Sequence, residues 1–314
     1  MDKSTLKYIV KRIVMAVLTL LLIILILFTL MKFMPGSPFN VEKLSPALIA
    51  RLEAKYGLDQ PVFVQFFNYL KGLMVGDFGI SLKLMKGIEV SSLVSSRIAI
   101  SFGIGLAAAA VGTAIGVVLG IVAALHKNTF WDTLATVVAV IGVSIPSFVF
   151  ALVLLLIFAV QLNILPVLYD VNTPIKSAIM PTLALSVGAI ANVARFTRTE
   201  MIEVLRSDYI LLAEAKGLDR GTVIRKHALR NTLVPVVTVL APIIINLMTG
   251  SMVIEKVCGI PGLGMLLVAA IQGNDIYVVM AVAFLYSILY VVMMLIVDVL
   301  YGVIDPRIRV GKGD

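Results

Sequence analysis

The residue types that most often carry chemistry are few and scattered in this chain. Its two histidines, His126 and His227, stand without a suitably spaced Cys, Asp or Glu, so neither a metal site nor a nucleophilic triad is written here. The single cysteine, Cys258, excludes an intrachain disulfide and any multi-thiolate site, and it reads as a small apolar residue near a membrane surface. No G-x-x-x-x-G-K-[ST] phosphate loop occurs, so the chain should not bind and split a nucleotide itself. Any energy it uses must come from a partner. What stands out instead is a dense polar block between two apolar runs, "SDYILLAEAKGLDRGTVIRKHALRNTLVP" (207–235).

That block is punctuated as helix. Ser207 is placed as N-cap, and Asp208 lies at the positive end of the helix dipole. Lys216 is in the last turn, and Gly217 is a left-handed stop. Between the caps run Tyr209, Ile210, Leu211, Leu212, Ala213, Glu214 and Ala215. A second helix is expected over "RGTVIRKHALRN", with Thr222 as its cap, leading to Pro235. A charged loop beside a membrane serves first as a topology marker. Two caps on so short a helix argue for more, because an isolated helix of this length is marginal in water and gains stability only by packing. Tyr209, Ile210, Leu211 and Leu212, exposed and flanked by charge, would form a docking surface.

The elements that must position this block are membrane spans. The chain has 314 residues, 60% of them hydrophobic and 14% charged, and a mean hydropathy of +1.06. Uncharged stretches long enough to cross a bilayer as helix are Ile13–Met31, Ile98–Leu125, Thr133 to Asn163, Ser177–Ala194, Asn231–Ile254 and Ile276–Val297. The third is long for one span and short for two, and "SIPSF" (144–148) reads as either a turn or a kink. Charge parity decides for six. With the N-terminus inside, sixteen of the 26 basic residues are cytoplasmic, eight of them in 195–230. Splitting the third run would export that loop. The first run is an uncleaved span rather than a signal peptide, being too long for an h-region and lacking a small-residue cleavage site in "MKFMPGSPFN".

Outside the bilayer, 34–97 is expected to be structured. "SPALIARLEAKYG" carries Ser45 as cap, Pro46 in the first turn and Gly57 as stop. "DQPVFVQFFNYLKG" repeats the design, with Asp59 as cap and Gly72 at the end. The pair is either a lid on the bundle or a platform for an external partner. Within the spans, charge is sparse: Glu255 and Lys256 follow the fifth, and Asp298 ends the sixth, so no proton relay or selectivity ring is evident. Gly112, Gly116 and Gly120 form a small-xxx-small row, suited either to packing inside the bundle or to a moving contact.

The polar block resembles the "EAA loop" of ABC-transporter membrane subunits, which forms a coupling helix in the cleft of an ATPase. Aligned on Gly217, Leu211, Leu212 and Ala213 stand where many importers have Glu-Ala-Ala, so no role is given to a leading glutamate, and Glu214 does not replace it. "AEAKGL" and "KHALRNTLVP" are similar to the peptide-importer version. "PGSPF" (35–39), "AKYGLDQP" (54–61), "GDFGIS" (76–81), "GVSIPSF" (142–148), "ARFTRTEMIEVLRSDYI" (194–210), "TGSMVIE" with "GIPGLG" (249–264) and "VDVLYGVIDPRIR" (297–309) extend the resemblance nearly end to end. The chain thus resembles B-type oligopeptide permease subunits.

The resemblance implies an all-α membrane protein with six transmembrane helices, both termini cytoplasmic and the type I ABC importer permease fold, multi-pass in a prokaryotic cytoplasmic (inner) membrane. Its parts would be a cytoplasmic N-terminus with the first span (1–33), an extracytoplasmic loop (34–97), a permease core (98–303) holding the coupling loop 195–233, and a cytoplasmic tail (304–314). Residues 207–217 would engage an ATPase. The implied partners are a homologous second permease forming a heterodimer, two ATPase subunits and an extracytoplasmic peptide-binding protein, in membrane lipid and without nucleic acid. ATP and Mg would sit on the ATPases, with no cofactor on this non-catalytic chain. Importers of dipeptide, nickel, glutathione or haem share the family. An autonomous channel or secondary transporter is the reading from another class.

Overall fold

A computed structural model describes residues 3–33, 45–249 and 252–304. The motif at 35–39 and the tail from 305 onward lie outside the described residues. Helices run in chain order as α1 (Lys3–Phe33), α2 (Pro46–Lys55), α3 (Val62–Met74), α4 (Val90–Leu125), α5 (Phe130–Ser144) and α6 (Ser147–Leu154), which continues as a π turn over Leu155–Gln161. Then come α7 (Pro174–Leu205), α8 (Asp208–Ala215), α9 (Arg220–Thr222) with a π turn over Val223–Ala228, α10 (Leu229–Thr249), α11 (Met252–Val257), α12 (Leu263–Gln272) and α13 (Ile276–Ile304).

Five of these stretches are long and apolar enough to cross a bilayer, namely Ile9–Leu30, Val90–Leu125, Pro174–Leu205, Val239–Val257 and Ile276–Ile296. The doubtful third run is a bent pair, α5 and the α6 segment meeting at 102°, which makes a sixth span where the pair is counted as one. Proline chemistry makes the break. Ile145, just before Pro146, is pushed to extended backbone at φ −92°, ψ 126°, and Pro146 has no N–H with which to continue the helix.

The chain divides into two units. The first holds α1 to α3, the start of α4 up to Ser101, α12 and α13 up to Leu295. Phe28 of α1 is buried against Phe66, edge to face with ring centroids 5.3 Å apart, and Ile24, Leu73 and Phe284 are buried with it. In a membrane span such a contact acts through close packing rather than escape from water. Gly57, at φ +66°, ends α2 as expected. In α3, however, Asp59 is not the cap: Pro61 holds the N-cap position, with no side-chain bond. Gly72 does not end α3 either. The helix runs on to Met74, and Gly72 is small because the Asp77 carbonyl would lie 2.9 Å from a Cβ there. The loop after α3 is tied to the start of α13 by Asp275, whose Oδ2 accepts from the Ser81 hydroxyl (2.6 Å) and the Lys83 and Leu84 amides (3.0 and 2.9 Å).

The second unit is built around α7, whose buried face carries Met180, Ala184, Ala189, Val193 and Met201. The glycine row of α4 lies on it. A Cβ on Gly112 would stand 2.5 Å from the Ala189 Cβ, one on Gly116 2.7 Å from the Val193 Cβ, and one on Gly120 2.6 Å from the Ala194 carbonyl. The row is therefore packing within the chain, letting two backbones approach where larger residues would hold them apart. Gly142 does the same for α5, facing the Ala191 Cβ at 2.9 Å.

Candidate functional site

Helix α8 begins at Asp208, directly after Ser207 as expected, and ends one residue earlier than Gly217 as stop suggests; its two ends are held differently. Ser207 has the extended backbone of an N-cap (φ −75°, ψ 151°), yet its hydroxyl does not cap α8. It donates backward to the Val204 carbonyl at 2.6 Å, fastening α8 to the end of α7. Asp208 remains in the first turn, where its charge suits the helix dipole. At the other end Lys216 is the C-cap, one residue beyond the last turn, and Gly217 takes φ +81°. The Gly217 N–H donates to the Glu214 carbonyl (2.9 Å) and the Leu218 N–H to the Ala213 carbonyl (3.4 Å). This paired lock satisfies carbonyls that the helix end would otherwise leave open.

One helical face is anchored. Ile210 is 1% exposed and Ala213 6%, both packed in a cluster with Ala124, Met201, Val223 and Ala228. Ile210 thus leaves the set of exposed apolar residues expected from the sequence. Its spacing of three from Ala213 puts both on the inner side. Tyr209, Leu211 and Leu212 stay outside, at 43%, 58% and 56% exposure. Glu214, Ala215 and Lys216 are exposed as well. An eight-residue helix is thereby clamped along one side and presents tyrosine and leucine on the other.

The following helix is capped by Asp219 rather than Thr222. The carboxylate accepts from the Thr222 N–H at 2.9 Å and from the Thr222 hydroxyl at 2.6 Å, so Thr222 is the third helical residue and the donor. Those two bonds, the hydroxyl's first, hold the Asp219 carboxyl below the usual carboxylate range. From Arg220 the chain is helical through a π turn into α10, so the loop and the fifth span are joined as one rod at that end. Thr232 lies one turn along α10, its hydroxyl donating to the Ala228 carbonyl at 2.9 Å.

A feature that sequence reasoning missed lies behind the anchor. Arg198 of α7 grips Asp132 of α5 through two N–H···O bonds, Nε to Oδ1 and Nη2 to Oδ2, the second 2.8 Å long. The Asn128 amide donates to the same carboxylate at 2.9 Å. Asp132 stands out in the sequence only as an acid at the edge of an apolar run, with nothing to name its partner. Among the described residues no group of His, Cys, Asp and Glu is arranged to hold a metal ion. His126 is exposed and His227 half-buried.

Among the described residues, long helices with five or six apolar spans and a short helix clamped along one side between two of them are the architecture of a membrane-embedded protein. Comparison with known proteins agrees. Residues 116–310 match the family "Binding-protein-dependent transport system inner membrane component" and residues 5–83 its N-terminal region. The chain is 42% identical to the dipeptide transport system permease protein DppB of Bacillus subtilis, covering 98% of this chain and 99% of that one. It is 44% identical to the oligopeptide transport system permease protein OppB of Escherichia coli, over 97% of this chain and 99% of that one. Among solved structures, the inward-facing MetNI methionine ABC transporter matches with a TM-score of 0.56 and 18% identity, over 68% of this chain and 96% of that one. An amino acid ABC transporter crystallised with histidines matches at 0.54 and 15%, over 67% and 92%. These likenesses establish the ABC-importer permease fold.

The chain belongs to the family of binding-protein-dependent transport system inner membrane components. It is a multi-pass inner-membrane permease subunit of an ABC importer, and family membership implies ATP use by partner ATPases and a separate substrate-binding partner.

Proposed function

We propose that this chain is one half of the translocation path of an ATP-driven importer of oligopeptides or dipeptides. Relatives named for both substrates match over nearly their whole length, which supports the peptide class. A homologous second permease supplies the other half, two ATPase subunits hold ATP and Mg, and an extracytoplasmic binding protein delivers the peptide. Both termini and α8 lie on the cytoplasmic side, where the positive-inside rule places the eight basic residues of 195–230. Residues 207–217 are the ATPase contact. ATP-driven closure moves α8, and the anchored cluster passes that movement to α7 and α10, turning the path from inward- to outward-facing.

The observation that carries the coupling role is the split on α8. Ile210 and Ala213 are sunk into the bundle, while Tyr209, Leu211 and Leu212 stand exposed on a helix locked at its C-terminal end. Tyr209 is of a type enriched among the residues that carry binding energy at interfaces, and Leu211 and Leu212 add exposed apolar surface beside it. Replacing Leu211 and Leu212 together by Asp should abolish co-purification of the ATPases and peptide uptake while the permease still inserts. Gradient-driven uptake in liposomes by the purified chain alone, without ATPases, would overturn the reading.

A further inference from the structure

At the α5–α6 break the second unit carries a cleft of about 340 Å³, lined by Pro146 and Ser147 at the break, Gly188 and Asn192 on α7, and Asn246 on α10. The size falls within the range of small-ligand sites. No acidic, basic or histidine side chain lines it. The lining lies near the middle of the broken element and of α7, where a polar side chain facing lipid is costly and usually marks a path or a partner. Both carboxamides are nonetheless exposed. Asn192 is held in place, its Nδ2 donating to the Gly188 carbonyl one turn back at 2.8 Å. Gly142, whose carbonyl receives no helical N–H from Pro146 four residues on, also lines the cleft. A backbone group freed from its helix at membrane depth is tolerated where it lines a cavity. Gly188 leaves space too: a Cβ there would meet nothing within 4 Å.

We infer that this cleft is a substrate contact in the path, recognising the amide main chain of the peptide through the Asn192 and Asn246 carboxamides while sorting side chains weakly. The inference rests on the peptide reading given above. A carboxamide offers both donor and acceptor, matching the N–H and C=O that every peptide carries whatever its sequence. A charged lining would instead favour one class of side chain and reject another. The neutral lining therefore suits a path that several peptides share.

The test uses the complete importer, both permeases with ATPases and binding protein, reconstituted in proteoliposomes. The probes are Ala-Ala-Ala, Ala-Lys-Ala and Ala-Glu-Ala. Asn192→Ala with Asn246→Ala should lower Ala-Ala-Ala moved per ATP hydrolysed by about five- to tenfold, the scale of one or two lost hydrogen bonds. Asn246→Lys should slow Ala-Lys-Ala more than Ala-Glu-Ala, a sorting that general damage to the fold does not create. Gly188→Leu should slow all three by filling the cleft. If the double alanine variant keeps its peptide-to-ATP ratio, or the lysine variant sorts nothing, the inference is overturned while peptide import stands. If the unaltered complex moves none of the three, nor the dipeptide Ala-Ala, the peptide reading itself fails and the inference falls with it.

Discussion

Arg198 holds Asp132 in a two-pronged ion pair that ties the first turn of α5 to the part of α7 leading into α8. The Asp132 side chain is 7% exposed and that of Arg198 29%, so the pair is shielded on one side and reachable by water on the other. Planar guanidinium and carboxylate match edge to edge, which an ammonium cannot reproduce. Arg198→Lys should therefore destabilise the permease by about 1–2 kcal/mol, and Asp132→Ala by about 2–3, since it leaves a partly buried cation unpaired. Thermal unfolding in detergent measures both. Equal stability of Arg198→Lys and the native chain would show that the second hydrogen bond contributes nothing.

The α4 glycine row offers a sharper contrast because one glycine in the same helix is different. Gly120 faces the Ala194 carbonyl and the Thr197 Cβ, each 2.6 Å from where a Cβ would sit, whereas Gly103 has no atom within 4 Å. Backbone cannot move aside as a flexible side chain does. Gly120→Ala should cost about 1–3 kcal/mol through overpacking. Gly103→Ala should be neutral or stabilise by up to about 1 kcal/mol, the gain in helix propensity. The same melting experiment separates them, and similar values for the two would contradict the close α4–α7 contact.

Asp219 gives the loop an acid-sensitive point. Its carboxyl is held below its ordinary value by the Thr222 hydroxyl and then the Thr222 amide, so the folded-state pKa lies below the unfolded one. The sign follows: the cap contributes fully above the unfolded value, near about pH 4, and is lost as pH falls through the lower folded value. Hydrogen-exchange protection at Val223, corrected for intrinsic rates, should drop in that window. Asp219→Asn, which can still accept from the amide, should retain protection without the pH dependence. An unchanged pH profile in that variant would place the titration elsewhere.

Much of this architecture is legible in the sequence because membrane constraints are strong. Runs free of charge mark the long apolar helices, and Pro146 marks the place where the third run bends. Gly217 is legible for a similar reason, since few residues end a helix at positive φ. What the sequence misleads on is which of several partners, near or remote along the chain, a residue takes. Ser207 has the residue type of a cap, but the Val204 carbonyl lies within reach and takes its proton. Ile210 looks like its neighbours Leu211 and Leu212, and only the positions of Met201, Val223 and Ala228 decide that it faces inward. Asp132 and Arg198, 66 residues apart, have no local signal at all.

The coupling role proposed for α8 can be probed at its C-terminal lock without altering the exposed face of the helix. Gly217 sits at φ +81° with no atom within 4 Å of where a Cβ would stand, so a substitution there meets backbone strain and no clash. Valine disfavours that conformation by about 1–2 kcal/mol, whereas asparagine adopts it at lower cost. Gly217→Val should therefore weaken ATPase co-purification and ATP-driven uptake, because the Ala213 and Glu214 carbonyls lose the lock that orients Leu211 and Leu212. Gly217→Asn should restore most of both. Steric exclusion of the partner would treat valine and asparagine alike, as the two side chains differ little in size. Two equally impaired variants would thus assign Gly217 to the contact surface itself, and two unimpaired ones would remove α8 from the coupling path.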